Sequence, residues 1–199
     1  MIRRMVAVCA LVACCAIGAP AQTGGTKGIA PGTESITPAQ TFNALLSMYE
    51  GEMMGVVKEM PADKYNFAPS QAIFKDSQKT DYLSPNDKGV RTFGQMVAHV
   101  AQANYSLASS ISGQKPDVDV KAIANLTNKD QLVDALAASF AFAHKAIDTI
   151  TPDNAFDIVR GEMTKASMAG FIVAHGFDHY GQLVEYLRMN GHIPPASKR

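Results

Sequence analysis

The chain has 199 residues, 47% of them apolar, and its 18 basic residues are balanced by 18 acidic ones. That apolar content is enough to build a core and excludes a disordered protein. A formal net charge of zero leaves no electrostatic footprint for nucleic acid or an anionic membrane surface, so neither is expected as a partner.

The chain opens Met1-Ile2-Arg3-Arg4, continues with an apolar run from Met5 to Ala19, and reaches Ala19-Pro20-Ala21 before Gln22. A basic start, a short apolar stretch and a small-x-small site are the marks of a secretory signal peptide. The run is too short for a stable membrane span, which takes roughly 20 apolar residues. Residues 1–21 are therefore expected to be a signal peptide, and the protein to be exported to the periplasm or the extracellular space. Leu11-Val12-Ala13-Cys14 also fits a bacterial lipobox, and the competing expectation is a lipoprotein anchored through Cys14. Cys9, Cys14 and Cys15 all lie in this segment. Cleavage after Ala21 removes every thiol and two of the 18 basic residues but no acid, which leaves a formal charge of −2. The folded part then has no disulfide, no cysteine nucleophile and no thiolate metal ligand.

Residues 22–37 are rich in Gly, Thr and Pro, lack periodicity and read as a flexible linker. Thr37-Pro38 supplies an N-cap and a proline at the first helical position. A helix is expected from there to about Glu59, with Phe42, Leu45, Leu46, Tyr49, Met53 and Val56 on its apolar face, and Pro61 ends it. The connection from Ala62 to Arg91 is long for a compact domain, and such loops are often functional. A second helix is expected from about Thr92 to Ile111, with Phe93, Met96, Val100, Ala103 and Leu107 on its stripe. Gly113 and Pro116 stop it. A third is expected from about Lys129 to Ile150, turning Val133, Leu136, Phe140, Ala143 and Ile147 inward. A fourth spans roughly Lys165 to Asn190, with Gly191 as its C-terminal left-handed residue. Strand signals are few. Four amphipathic helices with one long connection predict an all-α four-helix bundle over residues 38–195.

The histidines carry the chemistry. His175 and His179 are four apart, so their rings leave one helical face a turn apart. With about 100° of rotation per residue, Met168, Phe171, Ile172, Gln182 and Tyr186 share that face. Two imidazoles among apolar neighbours are costly unless their nitrogens find partners. A shared divalent ion satisfies both, and so does hydrogen bonding to Gln182 and Tyr186. His99 lies at the edge of the second helix's stripe, where it suits a third donor or a boundary histidine. His144, beside Phe140 and Ile147, is the reserve ligand, and His192 after Gly191 is expected to be exposed. Gly176 stands where a His-Glu-x-x-His protease would need its glutamate, so that chemistry has no support. Gln182, Tyr186 and Asn104 are the expected pocket residues, and Asp178 and Glu185 are candidates for orienting the ligands. The opposite side of the fourth helix carries Phe177, Tyr180 and Arg188 and is more aromatic than a typical solvated face.

Three segments resemble a known family. They are Met60-Pro61-Ala62-Asp63-Lys64-Tyr65-Asn66-Phe67-Ala68-Pro69; Arg91-Thr92-Phe93-Gly94-Gln95-Met96-Val97-Ala98-His99-Val100 with Ala103-Asn104-Tyr105; and His175-Gly176-Phe177-Asp178-His179-Tyr180-Gly181-Gln182 with Tyr186-Leu187-Arg188-Met189-Asn190-Gly191 and Pro194-Pro195. In this order they are similar to the DinB-like, damage-inducible family of metalloenzymes, which is distinct from the DNA polymerase of the same name. The resemblance implies an up-down-down-up four-helix bundle with zinc or nickel on His99, His175 and His179. It departs at Tyr180, where many relatives have arginine, and the stretch from Phe74 to Lys88 is longer than in many of them. Better understood members use low-molecular-weight thiols such as bacillithiol or mycothiol. Export from the reducing cytoplasm argues against a thiol cofactor here. The expectation is a metal-dependent hydrolase or transferase acting on a small molecule, the alternative a non-catalytic metal or small-ligand binding module. A homodimer formed through an outer helical face fits a bundle of this kind.

Overall fold

A computed structural model describes residues 35–69 and 90–198. The expected signal peptide, the lipobox around Cys14 and most of the linker fall outside the described residues, as do residues 70–89 of the long connection.

Four helices make up the body: α1 (Pro38–Glu59), α2 (Phe93–Ser112), α3 (Lys129–Ile147) and α4 (Lys165–Met189). Each begins on a side chain that accepts a hydrogen bond from an otherwise unpaired backbone N–H, as helix starts require. Thr37, Thr92 and Thr164 do so within reciprocal capping boxes completed by Gln40, Gln95 and Ser167, and Asn128 does so alone. At the other end, α2 and α4 are followed by Gly113 and Gly191, both at positive φ, where a side chain would be strained. α3 stops three residues earlier than its apolar pattern suggested. Asp148, Thr149 and Ile150 form a tight turn in which the Ile150 N–H donates to the Ile147 carbonyl, while Ile150 stays buried in the core.

Side-chain contacts fix the directions of the helices. Phe42 lies beside Gly170 and Tyr49 beside Gly176, so α1 and α4 run parallel. Gly94 meets Leu132 and Asn104 bonds Ser139, so α2 and α3 run parallel. Asn43 reaches Asp148 while Lys129 reaches Lys58, so α1 opposes α3. His99 faces His175 and His179 while Tyr186 bonds Arg91, so α2 opposes α4. The order is up-down-down-up. Among the described residues no helix is long and apolar enough to cross a membrane.

The core is one continuous cluster whose largest fully buried side chains include Tyr49, Phe93, Phe140, Met53 and Met168. Each of the apolar ones contributes roughly 1.5–3 kcal/mol on burial, and Tyr49 less, because its buried hydroxyl has no hydrogen-bond partner. Two details of the expected faces are corrected. Leu45 is 40% exposed, because the stripe of α1 is centred on Leu46, Tyr49 and Met53. Leu132, not Val133, is the buried residue in the first turn of α3, where it packs onto Gly94. The far side of α4 is also explained: Phe177 packs on Tyr49 at 5.3 Å and on Tyr180 at 5.9 Å, so it is partly core.

The segment after α1 ties three parts of the chain together. A short 3₁₀ turn at Ala62–Lys64 brings the Tyr65 and Phe67 carbonyls to the N–H groups of Gly94 and Phe93, at 2.9 and 2.8 Å. The Tyr65 hydroxyl donates to the Val57 carbonyl, and the Phe67 ring stands edge-on to Tyr186. Lys129, the first residue of α3, donates to the Lys58 and Met60 carbonyls at the end of α1. A cation there suits the negative end of the helix. Between α3 and α4 sits a small antiparallel hairpin, β1 (Ile158–Arg160) and β2 (Met163–Thr164). Strands this short carry no alternation that a sequence pattern could reveal.

Candidate metal centre

The site forms where α2 crosses α4. One turn of α4 separates His175 from His179 and sets their rings edge to face, with centroids 4.5 Å apart. Their Nε2 atoms face each other at 3.1 Å. From α2, His99 brings its ring to 5.3 Å from that of His175 and 4.8 Å from that of His179. One donor nitrogen from each residue falls within a group no more than 4.8 Å across. His179 is buried, and the other two are half-buried.

This environment keeps the rings neutral. Burial, followed by the charge of Arg91, pushes His99 down to about 4. Burial also lowers His175 and His179, partly countered in each by the Asp178 carboxylate. Desolvation disfavours the imidazolium, and a neutral imidazole is the form that ligates metal. Two nitrogens bound at about 2.0–2.1 Å to one tetrahedral ion lie about 3.3 Å apart, close to the separation of the α4 pair. His179 has a further feature: its Nδ1 is buried and has no hydrogen-bond partner. The Asp178 carboxylate lies 3.9 Å from it, and the Gln182 side chain also acts on this histidine. With Nε2 on a metal, Nδ1 becomes a fixed N–H donor, and a carboxylate is its usual partner. The donor set fits a divalent ion, and the three histidines can hold one.

Behind the pair, Gly176 lies flat against Tyr49. A Cβ at 176 would fall within the Tyr49 ring, which is itself held against Phe140 and Phe177. Any longer side chain at 176, glutamate included, would collide with that ring. The absence of a zincin glutamate therefore has a packing reason as well as a sequence one.

The remaining expected residues divide. Gln182 lies half-buried one turn beyond Asp178 and donates to its carboxylate at 3.1 Å. The Tyr186 hydroxyl donates to the Arg91 carbonyl at 3.1 Å. Asn104 is not gathered at the triad: it is buried and donates to Ser139 across the α2–α3 interface. Glu185 accepts from Arg188 on the surface. His144 is not the reserve ligand it resembled in sequence, because its two ring nitrogens face Asn43 and Glu50 of α1, at 2.7 and 3.1 Å. His192 is half-buried, not exposed. Arg91 is the residue that sequence reasoning missed. It precedes the cap of α2, and its charge acts on His99, His175, His179 and Tyr186. Its place two helical turns before His99 was the available signal.

No curated protein sequence matches the chain. A family model described as the DinB superfamily matches residues 46–183, from the third turn of α1 through most of α4, with all three histidines inside it. Sequence, fold and match agree that this chain belongs to the DinB superfamily.

Proposed function

We propose that the protein is an exported, metal-dependent enzyme that acts on a small molecule at His99, His175 and His179, by hydrolase- or transferase-type chemistry. The observation that carries this is the 3.1 Å approach of two desolvated Nε2 atoms with a third imidazole beside them. His99, His175 and His179 would hold a divalent ion, zinc or nickel, which would supply Lewis-acid polarisation and lower the pKa of a coordinated water or thiol. The chain's own groups do the rest. His175 and His179 are fixed by the rigid α4 scaffold, Asp178 sits beside Nδ1 of His179, and Gln182 steadies Asp178. Export is supported by the basic start, the apolar run and Ala19-Pro20-Ala21.

The second reading is a non-catalytic metal or small-ligand carrier. It is favoured by one observation: the carboxylate nearest the triad, Asp178, is exposed and engaged with Gln182, and so is a poor general base.

The test is purification from the native compartment without chelator, followed by elemental analysis and intact mass of wild type and His179→Ala. Expected are about one divalent ion per wild-type chain, at least a tenfold loss in the variant, and a mature chain beginning at Gln22. Metal-free wild type that also refuses added zinc and nickel would overturn the site. A lipidated N-terminus at Cys14 would replace soluble export with anchoring. Turnover across hydrolase and transferase panels separates enzyme from carrier.

A further inference from the structure

The triad meets solvent through its two half-buried members, His99 and His175. The polar side chains that flank it along the two helices are engaged within the chain. On α2, one turn to either side of His99, Gln95 accepts from the Thr92 N–H and Gln102 donates to the Val120 carbonyl, both at 2.9 Å. On α4, Gln182 donates to Asp178 and the Tyr186 hydroxyl donates to the Arg91 carbonyl, both at 3.1 Å. Phe171 is different. It stands one turn before His175, with its ring centre 5.9 Å from that of the imidazole and tilted by 44° to it. It is nevertheless 42% exposed.

Short side chains surround this ring. Ser167 and Ala174, its neighbours along the outer face of α4, are both exposed. His99 faces His175 across antiparallel helices, so one turn onward along α2 is level with one turn back along α4. Ala103, half-buried, is therefore at the height of Phe171. Small-molecule sites are built in this way, from an apolar wall and a few convergent polar atoms. A flat apolar group laid on the Phe171 ring would remove both surfaces from water and gain the offset or edge-to-face pairing that aromatic rings favour.

We infer that Phe171 is a specificity-determining residue that receives a flat apolar group, such as an aromatic ring, of a small substrate whose metal-binding atom lies at the histidine triad. The inference rests on the metal site proposed above and adds the class of molecule it takes. Sugars and other strongly polar substrates do not suit this surround, because the glutamines and the tyrosine beside the triad already have partners.

The test uses the full mature protein loaded with cobalt(II), whose thiolate charge-transfer band reports ligand binding at the metal. The probes are ethanethiol and 2-phenylethanethiol, which share a donor atom and differ by a ring. Wild type is expected to bind the phenyl compound about tenfold more tightly, the scale of one aromatic contact. That ratio should fall to about twofold in Phe171→Ala and persist in Phe171→Tyr, which keeps a ring. It should also persist in Phe156→Ala, which removes an 81% exposed ring just before the hairpin and so controls for unspecific adhesion. Ethanethiol affinity and the cobalt spectrum without thiol should be the same in all four proteins, since Phe171 is not a ligand. Equal affinity for both thiols in wild type, or a ratio that survives in Phe171→Ala, overturns the role of Phe171 and leaves the metal site standing. So does an equal loss of both thiols in Phe171→Ala, which would make the ring a mere prop for His175. Failure of wild type to bind cobalt overturns both.

Discussion

Two seams of this bundle contain histidine, and they treat it oppositely. Between α1 and α3, His144 has a protein partner at each ring nitrogen: Asn43 at 2.7 Å and Glu50 at 3.1 Å. Asn43 is itself held by Asp148 at 2.7 Å. Its amide nitrogen points to the carboxylate and its oxygen is left for the ring. Between α2 and α4, His179 faces another imidazole through Nε2 and has no partner at Nδ1. Buried polar groups are nearly always satisfied within native proteins. A histidine whose hydrogen bonds close within the chain is a staple, while a cluster of desolvated nitrogens aimed at each other is incomplete without a ligand. The same residue type thus takes two roles, and the roles are distinguished by what each nitrogen meets, not by burial.

The contrast can be broken most severely from behind the triad. Gly176→Ala drives a methyl group into a tyrosine ring that has no room to retreat, so it should cost about 3 kcal/mol, the upper range for overpacking. That is roughly 10 °C in the melting temperature of a protein this size, measured by thermal denaturation. A loss under about 1 kcal/mol would mean that Tyr49 moves freely and the back wall is soft. His144→Ala is milder. It removes two partly exposed contacts and should cost about 1–2 kcal/mol in denaturant unfolding, with metal content unchanged. Loss of metal in this variant would erase the distinction between the seams.

An effect of similar size comes from pH. In the metal-free fold His99 titrates at about 4 against an ordinary 6.5. Between those values the unfolded chain holds a proton that the folded chain refuses, so folding weakens as pH falls from about 6.5 toward 4 and levels off above that window. His175 and His179 shift in the same direction. Unfolding in urea with chelator at pH 7.5, 6 and 5 should show a steeper loss for wild type than for His99→Gln. Parallel curves would show that His99 is solvated, contrary to its place in the seam.

Most of the helices were legible in the chain because their signals are local. Thr37-Pro38 starts α1 where the capping chemistry places it, Gly113 and Gly191 mark the two ends that need positive φ, and the spacing of His175 and His179 alone puts both rings on one face. The hairpin at Ile158–Thr164 was not legible, since its strands are too short to show a period. Neither was the end of α3, where a turn keeps Ile150 in the core after the helix has stopped.

Local signals dictated four amphipathic helices and a pair of imidazoles one turn apart, because helical periodicity and capping act over three or four residues. Tertiary structure decided which other histidine joins the pair. His99 and His144 both sit near the edge of an apolar stripe, and only the antiparallel packing of α2 on α4, with α3 turned to α1, sends one to the triad and the other to Asn43 and Glu50. Tertiary structure likewise tied Arg91 to α4, through a tyrosine 95 residues away that bonds its carbonyl. Contacts of that range depend on how whole helices dock, and no local pattern encodes them.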